Sequence, residues 1–246
     1  MALGGWPRAL VRAAQIRADR LSDPERAAAD CWRAIRSWPN AAPSDDAVRE
    51  LVRLGGPNLR AELLAAARSL ARTEVGDNLR FAAAELIEKD QPGRARAEYE
   101  AIARDYPQSG LRDDALWRAS HLARAAGDSD GALEDLHQIT ARQRDSMLIG
   151  SFNSALMDDA QLEAGHIWLE DKKDAPQAVA AWEKLRDEMP DSTLRDDAQM
   201  WIARAWAQVG DSSRACAALA RLRHDFPGSR YLRKGVPELT TQLGCR

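Results

Sequence analysis

The sequence contains one nine-residue pattern twice. PQSGLRDDA begins at Pro107 and PDSTLRDDA begins at Pro190, so Pro-x-Ser-x-Leu-Arg-Asp-Asp-Ala recurs 83 positions later. The shared positions include no histidine or cysteine, and a catalytic signature is rarely duplicated within one chain. The duplication therefore predicts a repeated structural unit.

Prolines that follow a bulky residue mark the ends of four predicted helices, at Pro39, Pro107, Pro190 and Pro227. The positions twelve, eight and five residues before each proline share one helix face, and each carries a small or apolar residue. These stripe residues are Ala27, Cys31 and Ala34; Ala95, Tyr99 and Ile102; Ala178, Trp182 and Leu185; and Ala215, Leu219 and Leu222. Each proline ends its helix because its ring excludes the preceding residue from helical geometry.

The pattern that follows two of these prolines predicts the start of the next helix. Ser109 and Ser192 are expected to cap it by accepting a backbone N–H. The acidic pairs at 113–114 and 196–197 are then expected in or near the first turn, where negative charge meets the positive end of the helix dipole. We interpret these acidic pairs as helix-start signals and not as metal or acid–base sites.

The spacing of the repeats also predicts one irregular segment. The 83 positions between Pro107 and Pro190 exceed two units of about 34 residues. Residues 140–157 fit no repeat position and contain no proline. We expect an insertion at about 140–157.

Composition narrows the class of protein. The 246 residues are 45% hydrophobic and 30% charged, as in a folded chain. The net charge of −3 gives no overall attraction to nucleic acid or acidic membranes, so no nucleic-acid partner is expected. No apolar run approaches the about 20 residues of a membrane helix, so no direct membrane insertion is expected.

The N-terminal stretch does not have the pattern of a secretory signal, because Arg8, Arg12 and Arg17 interrupt it. Two locations stay open at this point. The chain is expected in the cytoplasm if Met1 is the native start, and in the bacterial periplasm or cell envelope if it is a processed or trimmed form.

Residues with catalytic or metal-binding chemistry form no known motif. The four histidines, His121, His137, His166 and His224, lack metal-ligand spacing, and no glycine-rich phosphate loop occurs. We therefore predict a non-catalytic protein with no metal and no cofactor.

The cysteines carry one specific hypothesis. Cys216 opens the second helix of the last repeat and Cys245 ends the final helix, so antiparallel packing of these helices brings the two together. A bridge between them closes the end of the array and implies an oxidising compartment. The alternative is two idle thiols. Cys31 stands at a core position and is expected to pack as a small apolar residue.

The pattern of these helix pairs resembles the tetratricopeptide repeat. Its first helix is apolar with a small residue near the middle, and its second helix carries alanine-x3-aromatic and ends at a proline. Ala83 and Ala203 hold that small position; in the fifth pair the glycine lies one place early, at Gly165, and His166 takes its place. The Tyr-Pro-x-Ser pattern further resembles that of repeat proteins of the bacterial envelope, namely the Tol-associated cell-division coordinator and the outer-membrane assembly lipoproteins.

The resemblance implies an all-α fold, a right-handed α-solenoid that forms one domain over residues 1–246. About six helix pairs are expected, at 7–40, 44–74, 76–107, 111–145, 148–190 and 193–227. A capping helix at about 229–243 is expected to close the last apolar stripe.

In such a fold the first helix of each pair lines an inner groove, and the function implied is binding of a partner protein or peptide. The candidate groove residues are Arg80, Trp117, His121, Arg124, Met200 and Arg204. Trp117, His121 and Arg124 form the favoured patch, with a core position for Trp117 as the alternative. The residues by which some family members clamp a C-terminal carboxylate are not reproduced.

These observations predict a scaffold, most simply a component of a bacterial envelope assembly. Two other roles stay open. One is a structural or regulatory subunit of a larger complex that docks by its convex face or its ends. The other is the non-catalytic superhelical domain of a peptidoglycan-processing enzyme.

Overall fold

The chain is helical throughout the part that the computed structural model describes, residues 6–141 and 156–245. Neither range contains a β-strand. We number the α-helices in chain order: α1 Trp6–Arg20, α2 Pro24–Ser37, α3 Pro43–Leu54, α4 Leu59–Ser69, α5 Gly76–Glu88, α6 Pro92–Asp105, α7 Arg112–Ala125, α8 Ser129–Ala141, α9 Met157–His166, α10 Ala175–Glu188, α11 Arg195–Gln208, α12 Ser212–Asp225 and α13 Gly235–Leu243. A π-helix (Ile167–Asp171) extends α9, and a 3₁₀-helix (Arg230–Arg233) precedes α13.

The chain divides into two compact units. Unit 1 ends at Leu122 and unit 2 begins at Ala123. In unit 1, α1 packs on α2, α2 on α3, α4 on α5 and α5 on α6; in unit 2, each helix from α8 to α13 packs on the next. The predicted all-α class and its succession of helix pairs are confirmed, whereas a single domain over 1–246 stays a prediction.

The apolar core of unit 1 follows the order of the helices. One cluster of buried side chains runs from Val11 to Ala83, and a second runs from Ala84 to Ala119. Each pair therefore buries its apolar face chiefly against its neighbours, as expected of stacked repeats.

The stripe that the prolines mark is the core of the second helices. All twelve stripe residues predicted from the sequence are 0% exposed. The helices that carry them, α2, α6, α10 and α12, end two residues before their prolines. In each, the N–H of the residue before the proline donates to the carbonyl of the last stripe residue, as Trp38 does to Ala34. The proline therefore terminates the helix after its final hydrogen bond.

The serines after the prolines act differently from the predicted caps. Ser192 Oγ accepts from Leu194 N at 3.0 Å, which closes the turn before α11, while Leu194 holds the N-cap position itself. The same hydroxyl donates to Asp158 Oδ2 of the preceding repeat at 2.7 Å. Ser109 and Ser229 make the same two hydrogen bonds, with Asp77 and Asp196 as the acceptors, although Ser229 is itself the N-cap of the 3₁₀-helix. The serine therefore joins successive repeats: its hydroxyl donates a hydrogen bond to the aspartate in the first turn of the preceding repeat's first helix.

Close packing in the fifth pair occurs at Gly165. The sequence pattern had instead put His166 at the position of the small residue. A Cβ at Gly165 would overlap the indole of Trp182, which is 0% exposed. The separation from Gly165 to Trp182 is 17 residues, whereas Ala83 to Tyr99 and Ala203 to Leu219 are each 16. The π-helix after His166 contains the extra residue, since its wider turn accommodates one more than an α-helical turn.

The C-terminal end of unit 2 is covalently linked. Cys216 of α12 and Cys245 after α13 are joined by a disulfide with a Cα–Cα distance of 5.5 Å. The final element is a 3₁₀-helix and α13, where one continuous helix at about 229–243 was expected. Cys31 is buried as expected, and burial raises the pKa of its thiol to about 12. The expected insertion at about 140–157 lies largely outside the described residues.

Candidate functional site

Two of the predicted groove residues in unit 1 meet on α7. The rings of Trp117 and His121 lie edge to face, with centroids 4.6 Å apart. His121 is exposed and Trp117 is half-buried. An imidazole and the edge of an indole are therefore accessible together on this face of α7, and their role in binding stays a prediction.

Arg80, the third predicted residue of unit 1, lies elsewhere. It donates to Glu98 at 2.9 Å and to Asp105 at 2.6 Å, both on α6. It also forms part of the wall of a cavity of about 430 Å³ between α4, α5 and α6. Its charge is already satisfied within its own repeat, which makes it a bridge between the two helices of a pair.

Arg124 is enclosed by carboxylates in unit 2. Its guanidinium donates to Glu163 at 2.6 Å, to Glu170 at 2.7 Å and to Asp171 at 2.8 Å. These hydrogen bonds raise the pKa of Arg124, with that from Asp171 the largest cause. Since three acceptors already surround it, Arg124 joins the last turn of α7, the part of that helix in unit 2, to α9 and the π-helix.

Met200 belongs to the core and not to an accessible surface. Its side chain is 1% exposed. A Cβ added at Gly235, the first residue of α13, would lie 3.0 Å from its methyl carbon. The sequence pattern did not show this, because the bend between the 3₁₀-helix and α13 places Gly235 over the residue.

The remaining predicted residue, Arg204, is the centre of a group on the first-helix face of unit 2. Its guanidinium carbon lies 4.7 Å from the ring centroid of Trp201 and 5.9 Å from that of Tyr231. Trp201 in turn contacts His166 edge to face at 4.5 Å and stacks on Trp182 at 6.0 Å. We call these five residues the aromatic–arginine cluster.

The cluster is apolar at its base and polar at its rim. Trp182 is buried, whereas Trp201, Arg204 and Tyr231 are half-buried. The Tyr231 hydroxyl donates to Asp197, and burial is the largest cause that raises its pKa. In the ranges the structure describes, no carboxylate lies within ion-pair distance of Arg204, although its aromatic neighbours fix its position. A guanidinium held on aromatic rings offers directed donors and apolar area together.

Sequence reasoning named Arg204 but missed its neighbours. Trp201 directly follows the selected position Met200 but was not itself selected, and His166 belongs to a helix in which no groove residue was selected. The π-helix that begins after His166 shifts the register there. Tyr231 comes from the capping segment, which the sequence assigned only to closure. The signal that could have found them is the high aromatic and arginine content of 201–206 and 230–233.

His166 gives the cluster a dependence on pH. It is largely buried between Trp182 and Trp201, and this burial lowers its pKa from 6.5 more than Glu163 and Glu170 raise it. The unfolded chain therefore takes up a proton at a higher pH than the folded chain, so stability falls as pH drops through the unfolded pKa.

We expect the urea midpoint of unit 2 to be lower at about pH 5.5 than at about pH 7.5. Replacing His166 with glutamine is expected to remove much of that difference, because glutamine does not titrate. His121→Gln is the matched control, since that imidazole is exposed. An equal pH dependence in the wild type and His166→Gln contradicts the assignment.

Over 6–141 and 156–245, no set of three or more histidine, cysteine, aspartate or glutamate residues is arranged to hold a metal ion. No helix in those ranges combines the length and the apolar character needed to span a bilayer.

Comparison with known protein families identifies one repeat. Residues 197–229 match the family described as tetratricopeptide repeat. Among solved structures, the chain is similar to a tetratricopeptide repeat protein from Parabacteroides merdae, with 16% identity, a TM-score of 0.43, and coverage of 97% of this chain and 92% of that one. No match was found among curated protein sequences. The matched repeat comprises nearly all of α11, α12 and the turn to Ser229, which includes Trp201 and Arg204.

Proposed function

We propose that the chain is a non-catalytic scaffold that binds a segment of a partner protein on its first-helix faces. The observation that carries this proposal is the aromatic–arginine cluster of unit 2. Aromatic and arginine side chains contribute most of the free energy at protein interfaces. Tetratricopeptide repeats generally mediate protein–protein contacts, which supports the same function.

Whether an arginine already forms ion pairs with carboxylates of its own unit indicates whether it is available to a partner. Arg80 and Arg124 already donate to acidic side chains of their own unit. Arg204 instead rests on Trp201 and Tyr231 and forms no ion pair within the described ranges, so its N–H donors can bond to an incoming acceptor. The partner segment therefore carries a carboxylate beside an apolar or aromatic side chain. Trp117 and His121 of unit 1 are proposed as a second contact.

The proposed setting is an assembly of the bacterial envelope. The disulfide between Cys216 and Cys245 supports an oxidising compartment, because such bonds persist in the periplasm and are reduced in most cytoplasms. The Tyr-Pro-x-Ser resemblance to envelope repeat proteins points the same way.

Charge reversal at Arg204 tests the proposal. Immobilised full-length chain is used to capture partners from the organism that expresses it, and capture is quantified by mass spectrometry. Arg204→Glu is expected to lower capture of the specific partner by about tenfold or more, since a repelled carboxylate replaces a bound one. Trp117→Ala is expected to give a smaller loss.

Arg214 provides a matched control for this experiment. It too lies over a tryptophan, with its guanidinium carbon 4.4 Å from the Trp206 ring, but it belongs to the second helix α12. Arg214→Glu is expected to leave capture unchanged. Equal capture by wild type and Arg204→Glu, or equal loss in both arginine variants, contradicts binding on the first-helix face.

A further inference from the structure

Exposed large apolar side chains concentrate at the first helix. Among the described residues five such side chains are exposed, and three of them are Trp6 at 60%, Ile16 at 40% and Leu21 at 65%. The other two, Leu86 and Val209, lie far apart in sequence. Sixteen consecutive positions therefore carry most of the exposed apolar bulk.

Helix α1 has two apolar faces, of which one is covered. Pro7, Val11 and Ala14 are buried, and α1 packs on α2 and α3. Trp6 and Ile16 project from the opposite side, together with the small side chains of Ala9 and Ala13 at helical spacing. The second face is an apolar strip from Trp6 to Ile16, about 15 Å long at 1.5 Å per residue.

Arginines border this strip. Arg8, Arg12 and Arg20 are exposed. Within residues 6–141 and 156–245, their one side-chain hydrogen bond joins Arg12 to Gln15. The only acidic residue of α1, Asp19, pairs with Arg53, and Arg17 pairs with Asp30.

The local charge differs in sign from the charge of the chain. Residues 6–36 contain seven arginines and four acidic residues, a formal charge of +3, whereas the whole chain carries −3. The overall charge therefore conceals a basic N-terminal helix pair, and an anionic partner suits this end of the molecule.

We propose that α1 docks peripherally on an anionic lipid surface. An indole and an isoleucine interleaved with arginines along one helix, with an exposed leucine directly after its end, resemble an interfacial helix. In such a helix the apolar side chains enter the headgroup region and the guanidinium groups bind lipid phosphates. The arginines beside the strip suit the phosphates of a bilayer, whose surface deforms to meet apolar side chains on a helix. A second copy is disfavoured, because contact between two α1 strips would bring the exposed Arg8 and Arg12 of each copy close to those of the other.

Vesicle binding tests this proposal, which does not depend on the aromatic–arginine cluster of unit 2. The full chain is sedimented with vesicles of phosphatidylcholine alone and with vesicles that contain about one third phosphatidylglycerol. We expect binding to the anionic vesicles only, abolished at about 1 M salt. Arg8→Glu/Arg12→Glu is expected to lower the partition coefficient by about tenfold or more, and Trp6→Ala by several-fold, with unchanged far-UV circular dichroism.

The control is Arg230→Glu/Arg233→Glu, which makes the same change of charge near the C-terminus of unit 2 and is expected to keep binding within about twofold. Three results overturn the proposal: no binding to anionic vesicles, equal binding to both vesicle types, or equal loss in both double variants. If the chain binds poly-glutamate but not vesicles, the surface binds an acidic protein. If the chain is a dimer that Trp6→Ala dissociates, the surface binds a second copy. Either result also overturns the proposal.

Discussion

Replacing Gly165 with alanine is expected to lower the free energy of unfolding of unit 2 by about 1–3 kcal/mol. The added methyl group meets the Trp182 indole at less than van der Waals separation. That indole cannot move aside easily, because it is fully buried and its Nε1 donates to Leu162 O at 3.0 Å. The higher helix propensity of alanine offsets at most about 1 kcal/mol. Chemical denaturation followed by tryptophan fluorescence measures the change.

Gly93 is the matched control for that substitution. It also lies in a helix, α6, but nothing is found within 4 Å of a Cβ built on it. Gly93→Ala is expected to be neutral or to stabilise the chain by a few tenths of a kcal/mol, up to about 1. If Gly165→Ala proves as harmless as Gly93→Ala, the close approach of α9 and α10 at this residue is wrong.

Removing the disulfide is expected to destabilise the C-terminal end by about 2–4 kcal/mol, the usual range for a bond that closes a loop of this size. The bonded cysteines are 29 residues apart in sequence. Helix α13 depends on the bond because Val236 is its only buried residue. We expect Cys216→Ser/Cys245→Ser to lose amide protection in α13 and over Met200, and to keep it in α8 and α9.

Thiol titration in denaturant without reductant checks the bond itself. One free thiol, that of Cys31, is expected in the wild type and none in Cys31→Ala. Three free thiols in the wild type mean that the bridge does not form in the purified protein. In that case the support for an oxidising compartment is lost, while the packing of the repeats is unaffected.

The sequence was sufficient for the fold because the repeat signal is redundant. Each second helix carries three stripe residues and a terminal proline, so Ala178, Trp182 and Leu185 could be placed in the core without knowledge of their neighbours. Periodicity of this kind reports burial directly.

The candidate site was harder to predict because it depends on exceptions to the repeat. The π-helix moves His166 by one position, and the capping segment brings Tyr231 to Arg204 from outside the helix pairs. The sequence did not predict that Glu163, Glu170 and Asp171 are the partners of Arg124. Ion pairs between repeats join residues far apart in sequence, so a local pattern does not show them. Local spacing therefore predicts which residues are buried better than which exposed residues meet.

Hydrogen exchange in Ile102→Val tests most directly whether each helix pair buries its apolar face only against its neighbours. Ile102 is fully buried in the second cluster of unit 1, and loss of one methyl group costs about 0.5–1.5 kcal/mol. We predict loss of protection in α5 and α6 with little change in α1 and α2, whose side chains belong to the first cluster. Equal loss over all helices from α1 to α6 would show one cooperative globular core and would contradict the account.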